Sequence, residues 1–292
     1  MALVFSYLED CYPVKKVGNT YQIMESNPLV SVVIPTYNRP DLLVRAVDSV
    51  QNQSYSNIEI IVVDDASKIE PGKVLSGYKG LYFFRNSVNM GACYSRNIGL
   101  SKAKGDFINF LDDDDVLCPE KIEKQVDLFL TSKDDCLGMV TCHSKDERSG
   151  KTKIKYNRVK GDIYRKLLDR YTVSGTETLL IMTEAVKNAG GFDEQLQSSH
   201  EYDLLIRLAK NYTIDFVDEV LTREYRSVNQ ISTNFDKKIQ GARYLYSKHD
   251  HRFKEIGYGF WLKKKLKLQI LLIRFYIGKM FGENVYRMLL RE

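Results

Sequence analysis

The chain has 292 residues, enough for one large domain or two small ones around a sizeable core, and its 43% hydrophobic and 28% charged residues are those of an ordinary globular protein. No run of eighteen uncharged apolar residues occurs, which excludes a membrane-spanning helix, and the first ten residues lack the basic start and apolar middle of a secretory signal. The net charge of +5 hides an asymmetry: residues 236–292 hold 14 Lys and Arg against 5 Asp and Glu, a balance of +9, while the rest stands at −4.

In chain order, residues 1–28 carry no usable motif. Val30–Ile34 is a β-branched run predicted to be a buried strand whose pairing stops at Pro35, followed by the polar loop Pro35–Pro40. Leu42, Leu43, Ala46, Val47 and Val50 recur at helical spacing. Ile58–Val63 is a second strand, ending in Asp64-Asp65-Ala66-Ser67, and Leu81–Phe84 is a third. A loop with Asn89 and Gly91 leads into a helix bearing Ser95-Arg96-Asn97, which Gly105 closes. Phe107–Leu111 is another apolar strand, and Asp112, Asp113, Asp114 and Asp115 follow it directly, before a helix near Pro119. Beyond Cys136 the pattern is mixed. Leu137–Cys142 reads as a strand, Lys145–Lys160 as a loop or hairpin over the site, Gly190–Glu194 as a turn and Glu201–Leu208 as a helix; from Asp236 onward only helices are expected. Cys11, Cys93, Cys118, Cys136 and Cys142 are odd in number and form no Cys-x-x-Cys pair, so reduced, buried thiols of a cytosolic protein are predicted.

Apolar strands alternating with helices predict an α/β fold with a parallel sheet covered on both faces. Ligands of such sheets bind outside the carboxyl ends of the strands. Three polar loops sit at those ends, Pro35–Arg39, Asp64–Ser67 and Asp112–Asp115, and one shared site explains all three. Four adjacent carboxylates repel one another, so a fold that gathers them calls for a cation, and hard oxygen ligands suit Mg²⁺ or Mn²⁺ with positions left for substrate phosphates. No Gly-x-Gly-x-x-Gly follows the first strand, which disfavours a dinucleotide cofactor.

An ordered set of motifs adds to this reading. Val-Val-Ile-Pro-Thr-Tyr-Asn-Arg (32–39), Val-Val-Asp-Asp-Ala-Ser (62–67), Asn89-x-Gly91 with Ser-Arg-Asn-x-Gly (95–99), Gly105-Asp106-Phe107, Leu-Asp-Asp-Asp-Asp (111–115), Gly-Gly-Phe-Asp-Glu (190–194) and Glu-Tyr-Asp-Leu (201–204) together resemble the family 2 glycosyltransferases over roughly residues 29–232. The resemblance implies a GT-A fold, a mostly parallel central sheet with flanking helices, here with a C-terminal helical extension. It implies inverting, metal-dependent transfer of a sugar from a nucleotide diphosphate, UDP-linked in the first instance, to a hydroxyl acceptor in surface glycan synthesis. By the same resemblance Pro35, Thr36, Tyr37, Arg39, Asp65, Asn89, Gly91, Arg96, Asp112 and Asp113 bind the nucleotide sugar, with Asp65 reaching the base and Asp113 facing the ribose. Asp114 and Asp112 hold Mn²⁺ or Mg²⁺, and Glu201 is the catalytic base.

The chain departs from the family pattern in two places. His200-Glu201 stands where a Glu-Asp pair is usual, and Tyr225–Ser232 lacks the histidine that completes the metal site in many members; His200 is a candidate substitute. The implied division is a catalytic domain over residues 1–235, with a nucleotide-sugar half at 29–119 and an acceptor half at 120–235, then a basic tail at 236–292. Within that tail Leu262, Leu266, Ile270, Ile273 and Ile277 fall at helical spacing beside Lys263, Lys264, Lys265, Lys267 and Arg274, so residues 260–281 suit either a peripheral membrane contact on the cytosolic face or packing on the core or on a second copy. The expected partners are a nucleotide-sugar donor and a glycan or lipid-linked glycan acceptor, with no nucleic acid. Two rivals stay open: a nucleotide-sugar-binding module that has lost catalysis, and a nucleotidyltransferase.

Overall fold

A computed structural model describes residues 14–17, 20–23, 26–147, 152–173, 175–225 and 234–290. A small antiparallel pair, β1 (Val14–Val17) and β2 (Thr20–Ile23), precedes the main sheet. The first half of that sheet comes from β3 (Val30–Thr36), α1 (Pro40–Gln51), β4 (Ile58–Asp64), β5 (Leu81–Arg85), α2 (Ala92–Lys102) and β6 (Phe107–Phe110). The second half comes from β7 (Val116–Leu117), α3 (Lys121–Thr131), β8 (Leu137–Asp146), β9 (Lys153–Lys155), α4 (Tyr164–Asp169), β10 (Leu180–Met182), α5 (Thr183–Asn188), α6 (His200–Leu208) and β11 (Thr213–Glu224). The tail is α7 (Phe235–Lys248), α8 (Asp250–Ile256), α9 (Tyr258–Phe281) and α10 (Glu283–Leu290).

The main sheet runs β5-β4-β3-β6-β10-β8-β11-β7, with β9 paired to β8. β5, β4, β3 and β6 are mutually parallel, and β11 is parallel to β8. β10 lies antiparallel between β6 and β8, and β7 antiparallel to β11, so the sheet is mostly parallel with two reversals along that path. Every residue of β3 is buried, as a strand with helices on both faces requires. Helix α1 turns Leu43, Ala46, Val47 and Val50 inward, and α2 crosses β3 so closely that a Cβ on Gly99 would overlap Val33 Cγ1. Phe107 on β6 stacks on Phe129 of α3 at 4.4 Å, both rings fully buried, each contributing about 2–3 kcal/mol through burial.

Pro35 does not end the β3 ladder, which continues to Thr36 opposite Asp64. The backbone of Val33 faces β6, where its carbonyl accepts from Leu111 N, and that of Thr36 faces β4, where its carbonyl accepts from Asp65 N. Pro35 therefore turns its missing N–H toward the side where β6 has already ended, and no sheet bond is lost. β9 forms the expected hairpin with the end of β8, Ser144 opposite Lys155. Residues 148–151 and 226–233 lie outside the described residues, the latter taking with it all of the expected Tyr225–Ser232 segment except Tyr225.

The tail packs on the body. Phe253 joins the main core, with Tyr246, Ile256, Phe260 and Trp261 against it, and Ile239, Ala242, Leu272 and Phe275 form a second small core between α7 and α9. The face that α9 buries is not the one its spacing picks out: Leu262, Leu266, Ile270 and Ile273 are exposed and Ile277 is half-buried. Among the described residues no helix is long and apolar enough to cross a membrane.

Candidate active site

A cavity of about 830 Å³ opens at the carboxyl edge of the sheet. It is lined by every residue expected to bind the nucleotide sugar or the metal, and by Glu201. The three strand-end loops do converge on one place.

At one end the β4 carboxylates divide their work. Asp64 is fully buried and holds the turn, accepting from Arg85 Nη1 at 2.8 Å and from the Ser67 hydroxyl and amide. Asp65 accepts from Asn86 Nδ2 and Met90 N, both 2.8 Å, and from Gly91 N at 2.7 Å, so it orders the loop that carries Asn89 and Gly91. Asn89 adds a longer bond to the Asp65 carbonyl, 3.3 Å. A carboxylate offers about four acceptor positions, and these donors take three.

In the middle lies the aspartate run. Asp113 turns toward β3, accepting from Thr36 Oγ1 at 2.8 Å and Arg39 Nη1 at 3.0 Å; burial, against the pull of Arg39 and Thr36, pushes its pKa up to about 6. Arg39 also reaches Asp114 at 3.5 Å, and Arg45 Nη2 donates to the Asp114 carbonyl at 2.5 Å. Arg96 Nη2 pairs with Asp112 at 2.5 Å. Burial works against the Arg96 charge, but Asp112 and then Glu201 outweigh it and push its pKa up. Asp112, Asp114 and Asp115 each bring a carboxylate oxygen to within 4.8 Å of the others, the one metal-capable group among the described residues. Three hard oxygens around one space fit Mn²⁺ or Mg²⁺. Asp115 was in the expected run but without an assigned role; it accepts from Tyr225 N at 3.1 Å, and burial, then Glu177, Asp112 and Asp114, push its pKa well up.

His200 is buried, and its Nε2 lies 3.0 Å from the Leu196 carbonyl oxygen rather than in the carboxylate group; burial pushes its pKa down. Asp193 ion-pairs with Lys248 at 2.5 Å, and Glu194 accepts from Asn97 at 2.8 Å, so the Gly190–Glu194 turn ties the body to the tail. The described cysteines, Cys93, Cys118, Cys136 and Cys142, are free thiols.

The far end holds what sequence reasoning did not reach. Glu177, from the loop before β10, is buried, and that burial together with Glu224 pushes its pKa well up. Glu224, ending β11, accepts from Ser144 and Lys155, both at 2.6 Å. Leu245, Tyr246, Leu271 and Phe275 of the tail complete the wall. A clamp holds that wall to α6: Asp203, fully buried two residues after Glu201, binds Arg207 at 2.7 Å and Lys248 and His249, both at 2.9 Å. Despite burial, His249, Arg207 and Lys248 hold the Asp203 carboxyl well below the usual range.

Comparison with known proteins agrees with this geometry. The model of glycosyl transferase family 2 matches residues 31–189. A glycosyltransferase of Rickettsia typhi is 32% identical over 265 residues, covering 88% of this chain and 77% of its own. The colanic acid biosynthesis glycosyl transferase WcaA of Escherichia coli, itself provisionally assigned, is 28% identical, covering 79% of this chain and 84% of its own. Among solved structures, S. aureus TarS 1–349 in complex with UDP-GlcNAc matches with a TM-score of 0.65 at 17% identity, over 89% of this chain and 75% of that one. The mannosyltransferase PcManGT from Pyrobaculum calidifontis, in complex with GDP-Man and Mn²⁺, matches with a TM-score of 0.60 at 17% identity, over 99% of this chain and 86% of that one. The structural likeness speaks for the fold and the sequence matches for the lineage: this chain has the GT-A fold and belongs to the family 2 glycosyltransferases.

Proposed function

We propose that the protein is an inverting glycosyltransferase that moves a sugar from a nucleotide diphosphate, of the UDP series first, to a hydroxyl acceptor during surface glycan synthesis. The observation that carries this is the meeting of Asp65, the Asp112–Asp115 carboxylates, Arg96 and Glu201 in one cavity. UDP-GlcNAc in TarS supports the UDP series, GDP-Man in PcManGT keeps GDP as the competing base, and the name of WcaA supports a surface polysaccharide.

Asp65 keeps one acceptor position for a base N–H, and Pro35, Thr36, Tyr37 and Asn89 flank it at the nucleoside end. Asp113, held by Thr36, faces the ribose. Asp114 and Asp112, joined by Asp115, are the residues that would hold Mn²⁺ or Mg²⁺, which when bound stabilises the charge of the departing diphosphate. Arg96 and Arg39 supply fixed positive charge beside the same phosphates. Glu201 takes the acceptor O–H proton as the acceptor oxygen bonds to the anomeric carbon and the bond to the diphosphate breaks on the opposite face. Residues 1–235 form the catalytic domain, and the 236–292 tail supplies its far wall.

The tail also presents Leu262, Leu266, Ile270 and Ile273 outward, and we assign that stripe to a peripheral membrane contact. Lys263 and Lys267 pair with Asp169, Lys265 with Asp250 and Lys279 with Asp236, so apolar insertion outweighs charge in that contact. The binding is therefore expected to resist salt, and a doubled mass in solution without vesicle binding would assign the stripe to a second copy instead.

A panel of UDP- and GDP-sugars with Mn²⁺, scored by thermal shift and then by transfer or hydrolysis, tests the main reading. Donor binding without turnover selects the silent binding module, and pyrophosphate release from a nucleoside triphosphate selects the nucleotidyltransferase.

A further inference from the structure

Glu177 has no part in the roles above, yet its place is closely built. The reversed β10 sets Ile181 opposite Ile108 and Met182 opposite Phe107, so the loop before β10 lies beside the end of β6, where the aspartate run begins. That loop is pinned from beneath: Asn109 Nδ2 donates to the carbonyls of Glu177 and Leu179 at 3.1 and 2.6 Å, and Gln125 Nε2 to that of Thr178 at 2.8 Å. Gly175, at φ +72°, folds directly over the carboxyl group, and a Cβ there would overlap both Glu177 carboxylate oxygens. Glu177 and Thr176 line the cavity and are each 3% exposed, and among the described residues neither Glu177 Oε1 nor Thr176 Oγ1 has a hydrogen-bond partner.

Buried oxygens without partners are costly, and native folds rarely keep them unless something else satisfies them. Both residues line the cavity that also holds the metal-capable carboxylates and Glu201, where a sugar ring lies if the donor reading above is right; this inference rests on that reading. A carboxyl group accepts from hydroxyls, and a pyranose offers pairs of adjacent hydroxyl donors. We propose that Glu177 and Thr176 form a sugar-hydroxyl subsite, and that Glu177 sets which sugar the enzyme accepts. The shared chemistry is a pyranose hydroxyl pair, on the donor sugar or on the acceptor sugar.

The test compares affinity for UDP-sugars, GDP-sugars and the bare UDP and GDP, all with Mn²⁺, in wild type, Glu177→Gln, Glu177→Ala and Thr176→Ala. In the donor case Glu177→Ala removes about 10- to 100-fold of the preference for sugar nucleotide over bare diphosphate, leaves bare-diphosphate affinity unchanged, and flattens discrimination among sugars. Glu177→Gln, of the same shape, carries the measurement if Glu177→Ala does not fold, and is expected to lose about 10-fold. Unchanged donor affinities with an acceptor KM raised at least about 10-fold assign the same subsite to the acceptor sugar. An unchanged sugar preference together with unchanged acceptor KM overturns the proposal, as does an equal loss for bare diphosphate. Wild type that binds no member of either donor series sinks the donor reading, and this inference with it.

Discussion

The two ends of the cavity are built on different terms. At the end proposed for the nucleotide the carboxylates are largely occupied: Asp64 by Arg85 and Ser67, Asp65 by three N–H donors with one position left, Asp113 by Thr36 and Arg39. At the far end Glu177 Oε1 and Thr176 Oγ1 have no partner among the described residues, and the same cavity is lined by tail helices clasped to the body through Asp203. A pocket whose polar groups are held in place binds with little reorganisation. A pocket with unpartnered oxygens gains most when a ligand supplies what is missing, and discriminates against one that does not. The nucleotide end thus suits a part common to many donors, and the far end suits the part that differs.

Four substitutions would break or sharpen this contrast. The largest effect is expected at Glu201. Glu201→Gln should lower transfer by about 10²–10⁴ while leaving donor affinity in place, because it removes the proton acceptor and nothing at the nucleotide end. Donor titration and single-turnover transfer on one preparation decide it; a collapse of donor affinity with transfer largely intact would move Glu201 to the donor site.

Asp203→Asn comes next. It leaves Lys248 and Arg207 facing a neutral amide in a buried place, a change of about 3–5 kcal/mol when a buried pair is broken. Chemical denaturation should show that loss, and proteolysis should cut first in 236–292. If the tail stays protected and stability is unchanged, the clamp does not hold the wall.

Asp65→Asn is expected to be milder, about 1–3 kcal/mol, since one amide N–H then faces the Met90, Gly91 or Asn86 donors. Bare UDP or GDP affinity should fall together with that of the sugar nucleotides, the opposite of the Glu177 pattern. Isothermal titration separates the two.

The smallest effect concerns the support under Glu177. Lys121 is fully buried against Gln125 at 2.7 Å, and burial pulls its pKa from 10.5 down to about 8. The folded state thus binds the proton less tightly than the unfolded one, so this residue's contribution to stability rises with pH between about 8 and 10.5, by at most about 1.4 kcal/mol per pH unit. Lys121→Met should remove that slope: its stability advantage over wild type, read from Tm, shrinks as pH rises through this window. A constant difference would show that Lys121 does not titrate there.

The first half of the sheet was legible in the residues because its information is local. β-Branched runs mark β3 and β4, helical spacing marks α1, and in a parallel sheet the residues just after a strand must fall at the carboxyl edge, so Thr36, Asp65 and Asp112–Asp115 could be assigned to one place. Only the tertiary structure decided the rest. β10 runs backwards, so the residues before it, not after it, reach the active edge, and no local pattern marks Glu177 as a neighbour of Asp112. The spacing of α9 shows an apolar stripe correctly but not which side packs. Leu272, Phe275 and Gly278 face inward, while Lys264, named from sequence among the basic residues beside the apolar stripe, is buried and donates to the Asp169 carbonyl at 3.0 Å, its ammonium 4.8 Å from the centre of the Tyr246 ring and 5.1 Å from that of Phe253. A chain's periodicity says which residues share a face; which face is covered depends on partners elsewhere in the chain, and for α9 those are Ile239 and Ala242 of α7 and Asp169 of the body.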